Sequence, residues 1–283
     1  MHALPSLIAL VAAAALAPAT LRALRAAGHT KLNYRSRPLP CPFGVLALAA
    51  ALVALIPLTL IARLGSTSVF EPPQLTVAVY ALGVLALGLV DDTLAPGEPP
   101  EGAAPAPRGL RGHAGAAVRG ELSTGLLKAA GSLGLALFAM SQLALSNGRW
   151  LLAAAVLVLA TNAFNLLDLR PGRSLKAFVL LGAGLTIGSA DLHPLWALGL
   201  FAAPAVLAGV YDLRERAMLG DTGANLLGAL AGLWLVLTLS DTGQIVALAL
   251  LALLTLYGEL RSISRLVERV PVLRRLDSWG RPS

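Results

Sequence analysis

Apolar residues along this chain neither alternate nor recur every third or fourth position. They run almost unbroken, at about residues 4–19, 44–61, 75–90, 122–145, 150–167, 175–189, 195–211, 224–239 and 244–257. Short Gly, Pro or Arg punctuation separates the runs. Runs that are apolar on every side, and dominated by Ala, Leu and Val, predict membrane-spanning helices, because a helix satisfies its own backbone inside hydrocarbon. The expected fold is therefore all-α, a polytopic helical bundle of about nine spans. Several runs fall short of the roughly 20 residues of a full crossing, so either the helices extend into their polar flanks or the count shifts by one.

Composition agrees, with 57% hydrophobic and only 13% charged residues. A mean hydropathy of +0.75 excludes an ordinary water-soluble domain. The first run has no basic stretch before it and carries Arg22, Arg25 and Lys31 after it, so it reads as an uncleaved span and not a secretion signal. A single cysteine, Cys41, excludes an intramolecular disulfide.

Charge orients the bundle. With the N-terminus outside, only Arg63 and Arg149 of the 22 basic residues fall in outer loops, and Lys128 falls within the fourth run. The rest lie inside, as the bias of basic residues toward cytoplasmic loops requires, and the C-terminus is then cytoplasmic. The expected location is the plasma membrane, multi-pass, with the polar clusters facing the cytoplasm. The net charge of +7 is dispersed over five segments with few aromatic residues between them, which argues against nucleic acid and suits anionic lipid or phosphate-bearing ligands. Topology alone explains most of these positions. Two regions follow: a spanning domain, 1–258, and a basic tail, 259–283. In the tail Ile263, Leu266, Val267, Val270, Leu273 and Leu276 recur at helical spacing, as in a segment lying on a membrane surface. The loop 95–120, rich in Pro, Gly and Ala, reads either as a cover over a site or as a plain connector.

Three polar clusters interrupt the apolar pattern. Asp91 and Asp92 close the third run, where a helix dipole disfavours them; two such carboxylates hold a metal, orient a nucleophile, or simply mark a helix end. Asn162, Asn165 and Asp168 repeat every three residues, which puts them on one side of a helix, either for ligand binding or for interhelical adhesion. Asp221 lies between Gly220 and Gly223 with Asn225 one turn on, a setting for metal-bridged phosphate or for a helix N-cap. Lys128 lies roughly 10 Å up the fourth helix, at 1.5 Å per residue, within reach of Asp91 and Asp92 or of a phosphate, or free to snorkel. His2, His29, His113 and His193 show no zinc-ligand spacing.

In order, Lys31-Leu-Asn33-Tyr-Arg35-Ser-Arg37-Pro38-Leu-Pro40, Asp91-Asp92, Gly109-Leu-Arg-Gly-His113, Thr124-Gly125-Leu-Leu-Lys128, Asn162-x-x-Asn165-x-x-Asp168 and Gly220-Asp221-x-Gly223-x-Asn225-x-x-Gly228 resemble one family from about Lys31 to the tail. It is the polyprenyl-phosphate N-acetylhexosamine-1-phosphate transferases, which include phospho-N-acetylmuramoyl-pentapeptide transferase and the initiators of bacterial lipid-linked glycans. The resemblance implies transfer of a sugar phosphate from a UDP-sugar to polyprenyl phosphate at the inner leaflet, with release of UMP and Mg²⁺ as cofactor. Carried over by position, Asp221 and Asp92 are the expected metal ligands, and Asp91, Asp92, Lys128 and Asp168 the catalytic set. Lys31, Asn33, Arg35, His113, Asn162, Asn165, Arg170, Arg173 and Asn225 are the expected substrate-binding residues.

The chain departs from the family pattern in two places. No third charged residue follows Asp91-Asp92, which run into Thr93, Leu94, Ala95 and Pro96, and Asp168 leads into Leu169, Arg170, Pro171, Gly172 and Arg173 where a second Asp is expected. Arg170 and Arg173 offer bidentate phosphate contacts in its place. No tenth run or histidine-rich loop is seen, so a simpler UDP-N-acetylhexosamine is expected and the muramoyl-pentapeptide substrate is not. The missing carboxylates motivate the alternative of a catalytically inactive scaffold in envelope assembly. A transporter is disfavoured because no paired midplane breaks occur. A homodimer is compatible with either reading.

The topology is directly testable. Reporter fusions after Leu260 and in the 95–120 loop should read cytoplasmic, and one in the 64–74 loop should read external; opposite readings at Asp92 and Asp221 would abolish any common pocket.

Overall fold

The computed structural model describes residues 1–70, 72–94 and 124–282. The expected cover loop, and with it Arg108, Arg111, His113 and Arg119, lies outside the described residues.

Every expected run is a helix, and most lengthen into their flanks. The order is α1 (Leu4–Ala26), β1 (Thr30–Leu32), β2 (Pro38–Pro40), α2 (Val45–Leu64), α3 (Gln74–Leu94), α4 (Thr124–Ser141), α5 (Asn147–Leu167), α6 (Arg173–Ser189), α7 (His193–Leu213), α8 (Gly220–Thr238), α9 (Asp241–Leu260), α10 (Ile263–Arg269) and α11 (Pro271–Ser278). Eight of them are long and apolar enough to cross a membrane, the make-up of a multi-pass protein. The ninth expected run is α6, whose 17 residues span about 26 Å, short of the roughly 30 Å hydrocarbon core.

Helix α8 is the axis of the bundle, buried from Thr222 to Leu235, with α3, α5, α6 and α7 around it. It can be central because it is narrow. A Cβ on Gly228 would stand 2.7 Å from Thr161 Cα and one on Gly232 3.1 Å from Leu157 Cα, so α5 lies directly on its backbone. Small residues at such spacing are how helices associate where lipid offers no hydrophobic penalty for separation. A similar stripe, Ala9, Ala13 and Ala17, seats α1 against its neighbours α7 and α2. Deep between α3 and α5, Tyr80 and Thr161 hydroxyls share a hydrogen bond of 3.0 Å. At the edge, α9 presents Ile245, Val246, Leu250, Leu253 and Leu256 outward, as a helix facing lipid does.

The purely helical expectation misses one small element. Residues 30–40 form an antiparallel hairpin that pairs Thr30 with Pro40, Lys31 with Leu39 and Leu32 with Pro38. Asn33 organises its turn, its Oδ1 accepting the backbone N–H groups of Arg35 and Arg37 at 2.9 Å. The hairpin and the residues just after it then lock onto the loop before α8: Met218 N–H donates to Pro40 O, Phe43 N–H to Met218 O and Gly44 N–H to Leu219 O. Thus the start of α8 is fixed from outside the bundle.

The tail breaks into two short helices because Pro271 cannot continue α10. Ile263 is buried, while Val272, Leu273, Leu276 and Trp279 are exposed. The outermost span runs to Leu260, two residues past the expected boundary at 258.

A close backbone approach lies beside the polar clusters, where a Cβ on Gly88 would meet Asp221 O and Thr222 Cα at 2.7 Å. Gly88→Ala should force α3 off α8 and cost about 1–3 kcal/mol. Thermal unfolding in detergent should show it, with Gly134→Ala, which has nothing within 4 Å, as the neutral control.

Candidate functional site

Five charged residues meet at one end of the bundle. Asp91 ends α3, Lys128 begins α4, and Asp221 begins α8. The Lys128 ammonium donates to Asp91 Oδ2 at 2.7 Å and also to Asp221 Oδ2, so one cation joins three helices.

Asp92 does different work. Its side chain is fully buried, and Oδ2 accepts both the Thr222 backbone N–H and the Thr222 hydroxyl at 2.8 Å. Helix α8 has Leu219 at its N-cap position and no side chain of its own capping it. Asp92 therefore supplies, from α3, the acceptor that a helix N-terminus needs. Gly220 makes room for it: its φ is +69°, and a Cβ there would sit 2.6 Å from Asp92 Oδ2. The other carboxylate oxygen accepts from Lys31 Nζ at 2.9 Å. Burial alone would lower the Lys31 pKa, but the charge of Asp92 outweighs it and raises it. The same burial, with Asp92 beside it, pushes the Cys41 thiol up to about 12.

This division gives the two members of the expected metal pair different partners. Asp92 is spent on Lys31 and on capping α8, whereas Asp91 and Asp221 converge. Since Asp92 does the capping, Asp221 is left without that duty.

Asp91 and Lys128 line a cavity of about 330 Å³, with Asn162, Asn165 and Asn225 on its wall beside Val158, Leu159 and Leu166. Asn162 Nδ2 donates to Thr255 of α9 at 3.3 Å. Asn225 is buried, and its Nδ2 has no hydrogen-bond partner among the described residues. An unmade amide bond of that kind is costly in a dry interior.

Asp168 does not join its two asparagines. Helix α5 ends at Leu167, and Asp168 as C-cap, at φ −75° and ψ 34°, has left the helical spacing that predicted one stripe. Its carboxylate accepts the Ser174 hydroxyl at 3.0 Å and borders a separate cavity of about 40 Å³ with Asn33, Tyr34, Arg170 and Asp212. Burial, then the neighbouring charge of Asp212, raise its pKa well above the usual carboxylate range.

Asp212 was not anticipated, because it sits just past the expected run 195–211. The only signal was an acid at the border of an apolar segment. It accepts Gly172 N–H at 2.6 Å and Leu219 N–H at 3.3 Å, tying the loop after α5 to the loop before α8.

The remaining expected substrate residues are engaged elsewhere. Asn33 Nδ2 donates to Glu215 at 3.2 Å. Arg35 donates to the Tyr34 hydroxyl at 2.7 Å and to Pro282 O at 3.0 Å. Arg170 stacks 4.6 Å from the Tyr34 ring centroid and reaches Glu268 at 3.4 Å. Arg173, buried, makes a bidentate pair with Asp277 at 2.8 and 3.2 Å, and Arg281 grips the same carboxylate at 2.8 and 3.1 Å. The tail is thus clamped onto the loop after Asp168, and Arg281 Nε adds a bond to Pro171 O.

Burial alone would raise the Asp277 pKa, but the two guanidiniums outweigh it and hold it below 3.8. The clamp's contribution is therefore complete above pH 3.8 and is lost as pH falls through the lower folded value. Asp277→Asn should open the clamp at neutral pH, and tryptic cleavage between Arg269 and Arg275 should speed up several-fold while the spans stay protected.

Neither models of known protein families nor curated proteins match this chain at a significant level.

Proposed function

We propose that the chain transfers a sugar-1-phosphate, of the N-acetylhexosamine type, from a UDP-sugar to polyprenyl phosphate at the cytoplasmic face of the plasma membrane. An oxygen of the lipid phosphate attacks the β-phosphorus of the UDP-sugar, the bridge to the α-phosphorus breaks, and UMP leaves with the electron pair. The product is a lipid-linked sugar diphosphate for envelope glycan synthesis.

The observation that carries this reading is the convergence of Asp91 and Asp221 on one cation at the wall of a cavity that opens within an apolar bundle. The charge balance supports it. Asp91, Asp92 and Asp221 against Lys31 and Lys128 leave one net negative charge. A pocket of that sign repels phosphates unless a further cation enters.

Mg²⁺ fits what is present: it is commonly held by one or two carboxylates with waters and substrate phosphates completing its shell. Asp221 and Asp91 would hold it, and it would screen the like charges that phosphoryl transfer brings together. Among the described residues, no larger group of His, Cys, Asp or Glu gathers as a ligand set. Lys128, freed from either carboxylate, pairs with a phosphate oxygen. Asn162, Asn165 and Asn225 offer amides to the uracil and ribose, and Val158, Leu159 and Leu166 give the lipid end an apolar wall. Asp168, buried and apart, positions the Ser174 end of α6 and does not meet the reacting phosphates.

One observation favours the rival reading of an inactive scaffold: Lys128 already bridges both carboxylates, as a purely structural bolt would. The discriminating measurement is UMP release by the purified protein with a short polyprenyl phosphate, Mg²⁺ and a panel of UDP-N-acetylhexosamines. Turnover is expected with at least one sugar, and Asp221→Ala and Asp91→Asn should each lower it about a hundredfold or more. No release from a folded protein across the panel establishes the scaffold reading, and full turnover by Asp221→Ala removes the metal assignment.

A further inference from the structure

A second cleft lies where α9 meets α10. Its volume is about 420 Å³, and Tyr257, Glu259, Leu260, Arg261, Arg265 and Arg269 are on its wall. The three arginines recur every fourth residue and point into one concavity. Among the described residues none of them has a carboxylate within ion-pair distance, unlike Arg170, Arg173 and Arg281, which all do. Three guanidiniums against one wall acid give the cleft an excess of two positive charges. All three are exposed, and they line the same concavity.

The depth of the cleft in the membrane identifies what reaches it. Leu253, Leu256 and Leu260 are each more than half exposed and lie on one side of α9, ending at Arg261. Among the described residues helix α9 packs on the bundle mainly through α5 and, weakly, α8, so this outer side faces hydrocarbon. An apolar stripe that terminates in a basic cleft at the helix end places the arginines at headgroup level.

We propose that this cleft seats the phosphate of an anionic phospholipid from the surrounding leaflet, with an acyl chain along Leu253, Leu256 and Leu260. The occupant is a resident lipid and not the acceptor of the transfer reaction; the inference does not depend on that reaction. Glu259 lines both the cleft and the cavity of Asp91, so the bound headgroup borders the mouth of the site.

The test uses the full chain in a neutral detergent. Native mass spectrometry and thermal unfolding are followed while phosphatidylglycerol, phosphatidylcholine or soluble glycerol phosphate is added. Phosphatidylglycerol should be retained and raise the unfolding temperature; the other two should do neither at the same concentration. A basic residue near the surface contributes about fivefold in affinity for anionic lipid, so R265Q should weaken phosphatidylglycerol about fivefold and R261Q/R265Q/R269Q about a hundredfold. R274Q/R275Q, on exposed α11, should leave it unchanged. Undiminished binding by the triple variant, or by R265Q should the triple variant fail to fold, overturns the site. Equal stabilisation by phosphatidylcholine removes the role of charge, and equal stabilisation by glycerol phosphate makes the ligand a soluble phosphate and overturns the lipid.

Discussion

The arrangement depends on one ammonium group placed between two carboxylates. Charges at the edge of a hydrocarbon slab carry a large desolvation cost, and removing one partner of such a group leaves an uncompensated charge. Lys128 offsets that cost for Asp91 and Asp221 together, and because each of the three comes from a different helix, the same contact fixes the mutual height of α3, α4 and α8. Electrostatics and packing are therefore not separable at this end of the molecule.

Around that contact the protein uses backbone rather than side chains to set distances. Gly88 brings the α3 backbone against Asp221, Gly220 admits the Asp92 carboxylate, and Gly44 lies against Gly223. Asp92 then caps α8 from a neighbouring helix, and Pro40 of the hairpin, with Phe43 and Gly44 just after it, holds the preceding loop through three main-chain bonds. The first turn of α8 is consequently restrained on three sides, which is what a carboxylate needs if it is to meet a small ion at a defined place.

Much of this was legible in the sequence, for a physical reason. Apolar runs report spans because hydrocarbon imposes one pattern on any helix, and the bias of basic residues among the loops put the clusters of Asp91, Asn165 and Asp221 at one end. The division of labour between Asp91 and Asp92 was not legible, since adjacent helical residues diverge by about 100° and sequence does not say which faces the cavity. The Asn162, Asn165 and Asp168 stripe failed at its last member because periodicity holds only while the helix lasts, and α5 stops at Leu167. Asp277 could not have been matched to Arg173, 104 positions away, by any local signal. The hairpin escaped notice because three-residue strands are too short to alternate.

The glycine contacts carry a consequence for how such a chain can change over time. Where main chains touch, at Gly44, Gly88 and Gly228, a replacement adds bulk against atoms that have no rotamer into which to retreat. Those positions are closed to drift. The outward side of α9, exposed among the described residues, exchanges one aliphatic residue for another at less cost. In any set of related chains, variation should thus be graded by radius from the α8 axis, and an ancestral split in ligand preference would be written in the asparagines of the cavity wall rather than in the scaffold that holds them.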